Sequence, residues 1–452
     1  LNLPLNKLPE KEGNSLSKDL PPLKSKGGNR SIPWRHLLQW PYFGYVILIV
    51  LLVFGVGYRW FGQWQSEQHE MLAQRPEQNL TSYALPDKLP MNEAAINQLK
   101  PEPGFQVSLA AQNLNNSGWM AWGPGYKTLY VSQPKLGSVI ALQDHDGDGV
   151  FETHLGTVVS LPGVSGMAVH SNQLYLATTK TIYRAVLYPN GKVSQASPLI
   201  NDLPDGGQHP YRSITYGPDG FLYISVGSFY NAAKEPTEET AAILKISPDA
   251  RHREVFASGI RHTVGLDWHP VTGELWGMEM GSDWDMSDIP PEELNRIEPH
   301  KHYGYPWCYG MKQADPFIES MPEGETQTDF CNRTESSAQI YQAHANPTGI
   351  LFYRPQPSFE NGFPKAYHHQ AFVTMYGSTH RKVPVGYSIV RIEFDEKGNP
   401  IRFINFLDGF LSLDKKTHTG RPYGIIQAPD GSLLVSDEAS GAILRIRYSG
   451  KI

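Results

Sequence analysis

Two stretches of this chain concentrate residue types that move protons and bind anions. In "GGQHPYRSITYGPDG", two glycines lead into His209 and Arg212 at the start of an apolar strand pattern. A histidine there is a candidate general base, because its ordinary pKa of about 6.5 lets it accept a hydroxyl proton near neutrality. The competing reading is a plain turn histidine, since the chain holds 16. The second stretch, Gly259 to Gly310, gathers Arg261, His262, Glu293 and a run of aspartates around short glycine turns. Separately, Asp144, Asp146 and Asp148 with Gly149 spell D-x-D-x-D-G, the opening of a calcium loop that clusters carboxylate oxygens. Leu155 stands at the twelfth position in place of the usual Glu, which favours a simple acidic hairpin turn.

Residues so far apart in sequence need a scaffold that returns the chain repeatedly to one place. One strand-turn-strand phrase recurs six times: "GPGYKTLYVSQ", "HSNQLYLATT", "GPDGFLYISVG", "HPVTGELWGME", "FPKAYHHQAFVTM" and "APDGSLLVSDE". The first four start about 50 residues apart, near the blade length of β-propellers. A Gly, Pro, Asp or Asn turn precedes an alternating apolar strand in each. The spacing predicts an all-β, six-bladed propeller over residues 101–452. Between the fourth and fifth phrases the gap doubles and holds the acidic, Pro-rich stretch Asp283 to Pro299 and both cysteines, which places the active face there. Cys308 and Cys331 lie in no CxxC or CxxCH pattern. They form either one bridge, worth roughly 3 kcal/mol for a loop of about 20 residues in an oxidising compartment, or two buried thiols.

The first hundred residues differ in kind. From Leu37 to Tyr58 no residue is charged, and "PYFGYVILIVLLVFGVGY" is long and apolar enough to cross a bilayer as a helix. Trp34, Trp40 and Tyr42 on one side and Tyr58, Trp60 and Phe61 on the other match interfacial aromatic belts. Lys24, Lys26, Arg30 and Arg35 precede the span and Arg59 alone follows, so residues 1–36 are expected as a disordered cytoplasmic tail. Residues 59–100 read as a stalk, with the propeller in the periplasm or outside the cell. After Phe61 stand 31 Lys/Arg against 42 Asp/Glu. That acidic balance argues against nucleic acid as a partner.

Within the second stretch, "GIRHTVG", "EMGS", "EELN" and "YGYP" follow one another in order. On these motifs the chain resembles the soluble sugar dehydrogenases that use pyrroloquinoline quinone, of glucose dehydrogenase type, and especially their sorbosone dehydrogenase-like branch. The resemblance runs from about Pro101 to Ile446. It implies oxidation of a sugar or alcohol by hydride transfer to the quinone, with calcium as Lewis acid. It implies His209 as catalytic base and Arg261 as the cation beside the reacting carbonyl. Arg212, Arg261, His262, Arg381 and Arg421 fall at cofactor-binding positions. Gly281 and Ser282 fall at the positions whose carbonyls bind calcium, and Glu293 and Tyr303 at a second, structural calcium site. His262 replaces the family's usual Asn, and Val264 and Val164 replace polar cofactor contacts of one branch. With no haem motif in the chain, electrons are expected to leave to a separate cytochrome or to membrane quinone. The rival readings are a calcium-dependent lactonase or esterase propeller and a non-catalytic binding propeller tethered at the inner membrane.

Overall fold

The computed structural model describes residues 84–450, apart from 285–287, 319, 357–361 and 380. The expected tail, the apolar span 37–58 and the stalk up to residue 83 lie outside the described residues. Among those described, no helix is long and apolar enough to cross a membrane.

The six repeated phrases each fold as the turn and second strand of a separate antiparallel sheet, because alternating Leu, Ile, Val and Tyr flank a tight polar turn. Blade one is built from Met120–Trp122, Leu129–Gln133, Ser138–Gln143 and Thr153–Ser160. Blade two follows with Met167–His170, Gln173–Ala177, Ile182–Val186 and Ser197–Ile200. Blade three is Arg212–Tyr216, Leu222–Val226, Ala242–Ile246 and Arg253–Ser258, widened by the parallel pair Lys301–His302. Thr263–Trp268, Leu275–Glu279, Glu292–Ile297 and Gln339–Tyr341 make blade four. Blade five is Pro347–Phe352, Ala371–Met375, Ser388–Phe394 and Pro400–Asp408. Blade six takes Pro422–Gln427, Leu433–Asp437 and Ala442–Tyr448 from the end of the chain, and its outermost strand, Phe105–Ala111, from the start.

That last pairing closes the ring. Phe105 meets Phe363, Tyr367, Phe406 and Tyr448 edge-on, at ring distances of 4.7, 5.0, 4.9 and 5.3 Å. Each such contact adds about 0.5–1.5 kcal/mol beyond the area it buries. A separate hydrophobic core fills every seam between neighbouring blades, six in all among the described residues. Both faces of the central strands are therefore buried, which explains apolar runs such as Leu222–Val226.

Residues 87–100, expected as stalk, pack on the propeller. Asp87–Lys88 pairs with Thr417–His418, a short helix spans Glu93–Ile96, and Lys100–Pro101 extends blade five. The reason is local: Leu99 is buried against the aromatic core between blades five and six. The long insertion forms a lobe outside blade four, with a hairpin, Cys308–Tyr309 and Gln313–Ala314, and a helix, Gln327–Arg333, capped by Thr326. A Cys308–Cys331 disulfide joins them.

The innermost strands of all six blades wall an axial cavity of about 530 Å³. Its lining includes Trp119, Val264 and Asp267 but neither His209 nor Arg261.

Candidate active site

Strand direction alternates within a blade, so the starts of the innermost strands and the loops joining second to third strands lie on the same face. That face, at one end of the propeller axis, is termed the mouth; the axial cavity reaches instead toward the opposite face, where Tyr126, Arg354 and Pro429 line it. His209, Arg261 with His262, and Arg421 immediately precede the innermost strands of blades three, four and six, while Gly281, Ser282 and Arg381 sit on second-to-third loops of blades four and five. The fold thus gathers candidates that span more than two hundred residues of sequence.

His209 is half-buried, and its ring stacks on that of His262 at 4.4 Å. Gly227 makes the stack possible, since a Cβ there would stand 2.6 Å from both His209 Cβ and His262 Nδ1. The Nδ1 atom of His209 lies 2.9 Å from the Ser228 carbonyl oxygen. A carbonyl only accepts, so the ring proton belongs on Nδ1 and the lone pair on Nε2. Burial, with Arg261 and Arg212 nearby, lowers its pKa to about 3, which keeps the ring neutral at physiological pH. His262 is buried more deeply and is held well below its ordinary pKa, first by burial and then by His209.

Arg261 is 3% exposed. It donates from Nε to the Asn231 carbonyl at 2.9 Å, from Nη2 to Asn231 Oδ1 at 2.7 Å, and from Nη1 to the Met280 carbonyl at 3.2 Å. Asp283 bridges this guanidinium to His344, with 3.5 Å to Arg261 Nη2 and 3.5 Å to His344 Nδ1. Arg421 lies near the rings of Tyr376 and Tyr387, each 4.7 Å from its guanidinium carbon. It donates to the Gly377 carbonyl at 3.1 Å and to Tyr387 Oη at 2.5 Å. That leaves Nε–H and one hydrogen on each Nη without a partner among the described residues. Arg381 donates to the Ala343 carbonyl at 3.1 Å and pairs with Asp288.

Several of these residues have other partners in this structure. Arg212, expected to contact a cofactor, is fully buried and spends its guanidinium on the carbonyls of Thr179, Pro204, Asp205 and His209. It ties down the loop that carries His209. Glu293 and Tyr303, expected to share a structural metal, have no partner in common. The Glu293 carboxylate accepts from the Gly310 N–H at 2.5 Å, whereas the Tyr303 hydroxyl turns to the Arg296 carbonyl and the Glu298 N–H. Val164 is sealed in the core between blades one and two, where no polar contact is open to it.

Glu293 instead belongs to a set of buried carboxyls with Glu279 and Glu292. Glu279 accepts from the Arg261 N–H at 2.5 Å and from Asn295 Nδ2 at 3.0 Å. Burial raises all three, pushing Glu292 and Glu293 up to about 7 and, with Glu293 alongside, Glu279 well above the ordinary value. The acidic loop of Asp144, Asp146 and Asp148 lies at the opposite end of blade one. Glu152 joins it, and the four carboxylates bring oxygens within 4.8 Å of one another. All but the half-buried Asp144 are exposed.

Sequence reasoning passed over Asp283, His344, Asn231 and Tyr376. Asp283 follows Gly281 and Ser282 directly, so its proximity was available. His344 carries one signal only in three dimensions, a left-handed backbone with φ of +63°, which is uncommon for a residue with a side chain.

Fold and mouth together define a six-bladed propeller with histidine, arginine and carboxylate groups converging at one end of its axis. The chain belongs to the TrAA12-like family, whose model matches residues 99–449. A calcium structure of a family AA12 carbohydrate-active enzyme from Trichoderma reesei is 19% identical, with a TM-score of 0.67 over 83% of this chain and 100% of that one. The holo pyranose dehydrogenase PQQ domain of Coprinopsis cinerea is 18% identical, with a TM-score of 0.65 over 77% of this chain and 97% of that one. At that identity the likeness is one of fold. An uncharacterised protein of Borreliella burgdorferi is 36% identical over 232 residues, covering 50% of this chain and 57% of that protein. The chain thus spans little more than half the length of that relative.

Proposed function

We propose that this chain is a quinoprotein dehydrogenase that oxidises the hydroxyl-bearing carbon of a sugar or alcohol, with pyrroloquinoline quinone and calcium held at the mouth. One observation carries the reading: the Ser228 carbonyl fixes the His209 proton on Nδ1, so Nε2 is left to take a proton from a substrate hydroxyl. The residues fit a flat, polyanionic cofactor. Arg421 offers unspent donors near two aromatic rings, Arg261 and Arg381 add charge, and arginine forks match carboxylates. Gly281 and Ser282 with Asp283 bring oxygen donors of the kind a hard cation takes.

When bound, the quinone would supply a two-electron acceptor and calcium a Lewis acid. The chain's own part is to take the proton at His209 Nε2 and to present Arg261 to negative charge that develops during the reaction, an arrangement worth several powers of ten when preorganised. The Coprinopsis domain, described as a pyranose dehydrogenase PQQ domain, supports the choice of cofactor and substrate class. The hydrolase alternative needs acidic side chains converging on the axis. At the mouth Asp283 pairs instead with Arg261 and His344, and Glu279, Glu292 and Glu293 are buried and accept from backbone N–H groups. The apolar run 37–58 supports an anchored enzyme on the outer side of the inner membrane that passes electrons to a separate cytochrome or to membrane quinone; cell fractionation tests the location.

Reconstitution with calcium and pyrroloquinoline quinone, followed by dye reduction with aldoses, sorbosone-like sugars and simple alcohols, tests the activity. Quinone-dependent turnover of one of these classes is expected. Failure to bind the quinone at micromolar concentration overturns the proposal.

A further inference from the structure

We infer that Glu292 is a positioning residue that sets the two principal cations of the mouth, Arg261 and Arg421, by holding the two loops whose carbonyls they bind. Its catalytic consequence rests on the dehydrogenase reading above; the hold on the two loops does not.

Glu292 opens the third strand of blade four and is 1% exposed. A carboxyl so buried is tolerated only where its oxygens are satisfied. Here each oxygen serves a different loop. Oε2 accepts from the Gly281 N–H at 2.9 Å, on the second-to-third loop of blade four. Oε1 accepts from the Asn346 N–H at 2.8 Å, on the loop that enters blade five.

Both bonds lead on to an arginine. The Gly281 N–H belongs to the peptide whose carbonyl is that of Met280, and this carbonyl accepts Nη1 of Arg261 at 3.2 Å. In the other direction, the Asn346 side chain donates to the Gly377 carbonyl at 3.0 Å, and the same oxygen accepts Nη1 of Arg421 at 3.1 Å. The Gly377 N–H returns to the Ala345 carbonyl at 3.0 Å, closing the strap. Glu292 therefore stands midway in a network with a guanidinium at each end.

The second loop needs such a strap. His344 and Asn346 both hold left-handed backbone, with φ of +63° and +56°, a conformation that persists in residues with side chains only where the surroundings impose it. Glu292 and Gly377 supply that restraint from two different blades. The neighbouring Glu279 and Glu293 differ, the first accepting the Arg261 N–H and the second the Gly310 N–H. Only Glu292, among these three, joins loops that lead to both arginines.

The test compares the full chain with Glu292→Gln, which replaces one acceptor oxygen by a donor, and Glu292→Asp, which keeps the acid but shortens its reach. Amide exchange read by mass spectrometry is expected to quicken about tenfold in peptides covering 279–284 and 343–347, with blades one and two unchanged. In the quinone- and calcium-loaded enzyme, kcat is expected to fall about 10- to 100-fold in Glu292→Gln, with KM for the sugar held within about threefold. Glu292→Asp is expected to lie between, and serves alone if Glu292→Gln does not fold. Unchanged exchange in both loops overturns the inference. So does an active wild type against which the Glu292→Gln kcat and KM change in proportion or not at all. A wild type without quinone-dependent turnover fails the dehydrogenase reading instead, and the strap then stands or falls on exchange alone.

Discussion

The base role proposed for His209 rests on what surrounds the residue rather than on its identity. The Ser228 carbonyl sets its tautomer, and burial beside Arg261 keeps it uncharged. His209→Ala should lower kcat by about 10²- to 10⁴-fold while quinone affinity, measured by titration, stays near wild type; a smaller loss would remove this residue from the base role. The same environment makes a stability prediction. An unfolded chain protonates this histidine as pH falls through 6.5, while the folded chain holds it neutral down to about 3. The stability it contributes above pH 6.5 is therefore lost progressively as pH falls toward 3. In His209→Gln the urea midpoint should fall less steeply on acidification than in wild type, and equal slopes would contradict the low pKa. Arg212 shows the converse, a residue for which the resemblance implied a cofactor contact and whose guanidinium donates to four carbonyls. Arg212→Ala strands the carbonyls that it serves at roughly 1–3 kcal/mol. It should cut kcat more than it changes quinone affinity, because the loop it ties is the one that carries His209.

At the scale of elements, the mouth is built from loops, and each loop is held by something outside itself. Glu279, Glu292 and Glu293 do this for blade four. The Cys308–Cys331 bridge does it for the lobe, where Phe330 and Trp307 pack around it. Replacing both cysteines by serine should cost about 3 kcal/mol in the chain-entropy model and open the lobe to limited proteolysis between Trp307 and Thr334. An unchanged denaturation midpoint would show that the lobe holds itself. The acidic turn of blade one is a different kind of element. Gly147 and Gly149 N–H groups already cap Asp144, at 2.7 and 2.9 Å, so the turn forms by local hydrogen bonding of the sort Asp supplies in any turn.

For the whole molecule, closure is the decisive event. Blade six is complete only when Phe105–Ala111 pairs with Ala442–Tyr448, so the first and last parts of the propeller must meet before either is stable. A chain starting at Ala84 should fold and keep its melting temperature. One starting after Ala111 should aggregate, because it leaves the edge of Ala442–Tyr448 unpaired and the aromatic cluster around Phe363 open. Light scattering and circular dichroism distinguish the two, and a monomeric, fully folded shorter chain would contradict the role of the closing strand.

The repeat was legible in the sequence because each blade begins with the same local problem, a tight turn feeding a buried strand, and turn residues solve it in the same way each time. Even the weak fifth phrase, "FPKAYHHQAFVTM", leads into the second strand of its blade. The position of His209 at a strand start was legible for the same reason, whereas Arg261, Gly281 and Arg421 were singled out through the family resemblance. What each side chain touches was not. Which carbonyls Arg212 serves, which N–H the Glu293 carboxylate accepts, and what residues 87–100 pack against all depend on segments far away in the chain. Hydrophobic alternation and turn chemistry are local and are written into neighbouring residues. Hydrogen-bond partners at a propeller mouth come from different blades, and only closure of the ring brings them together.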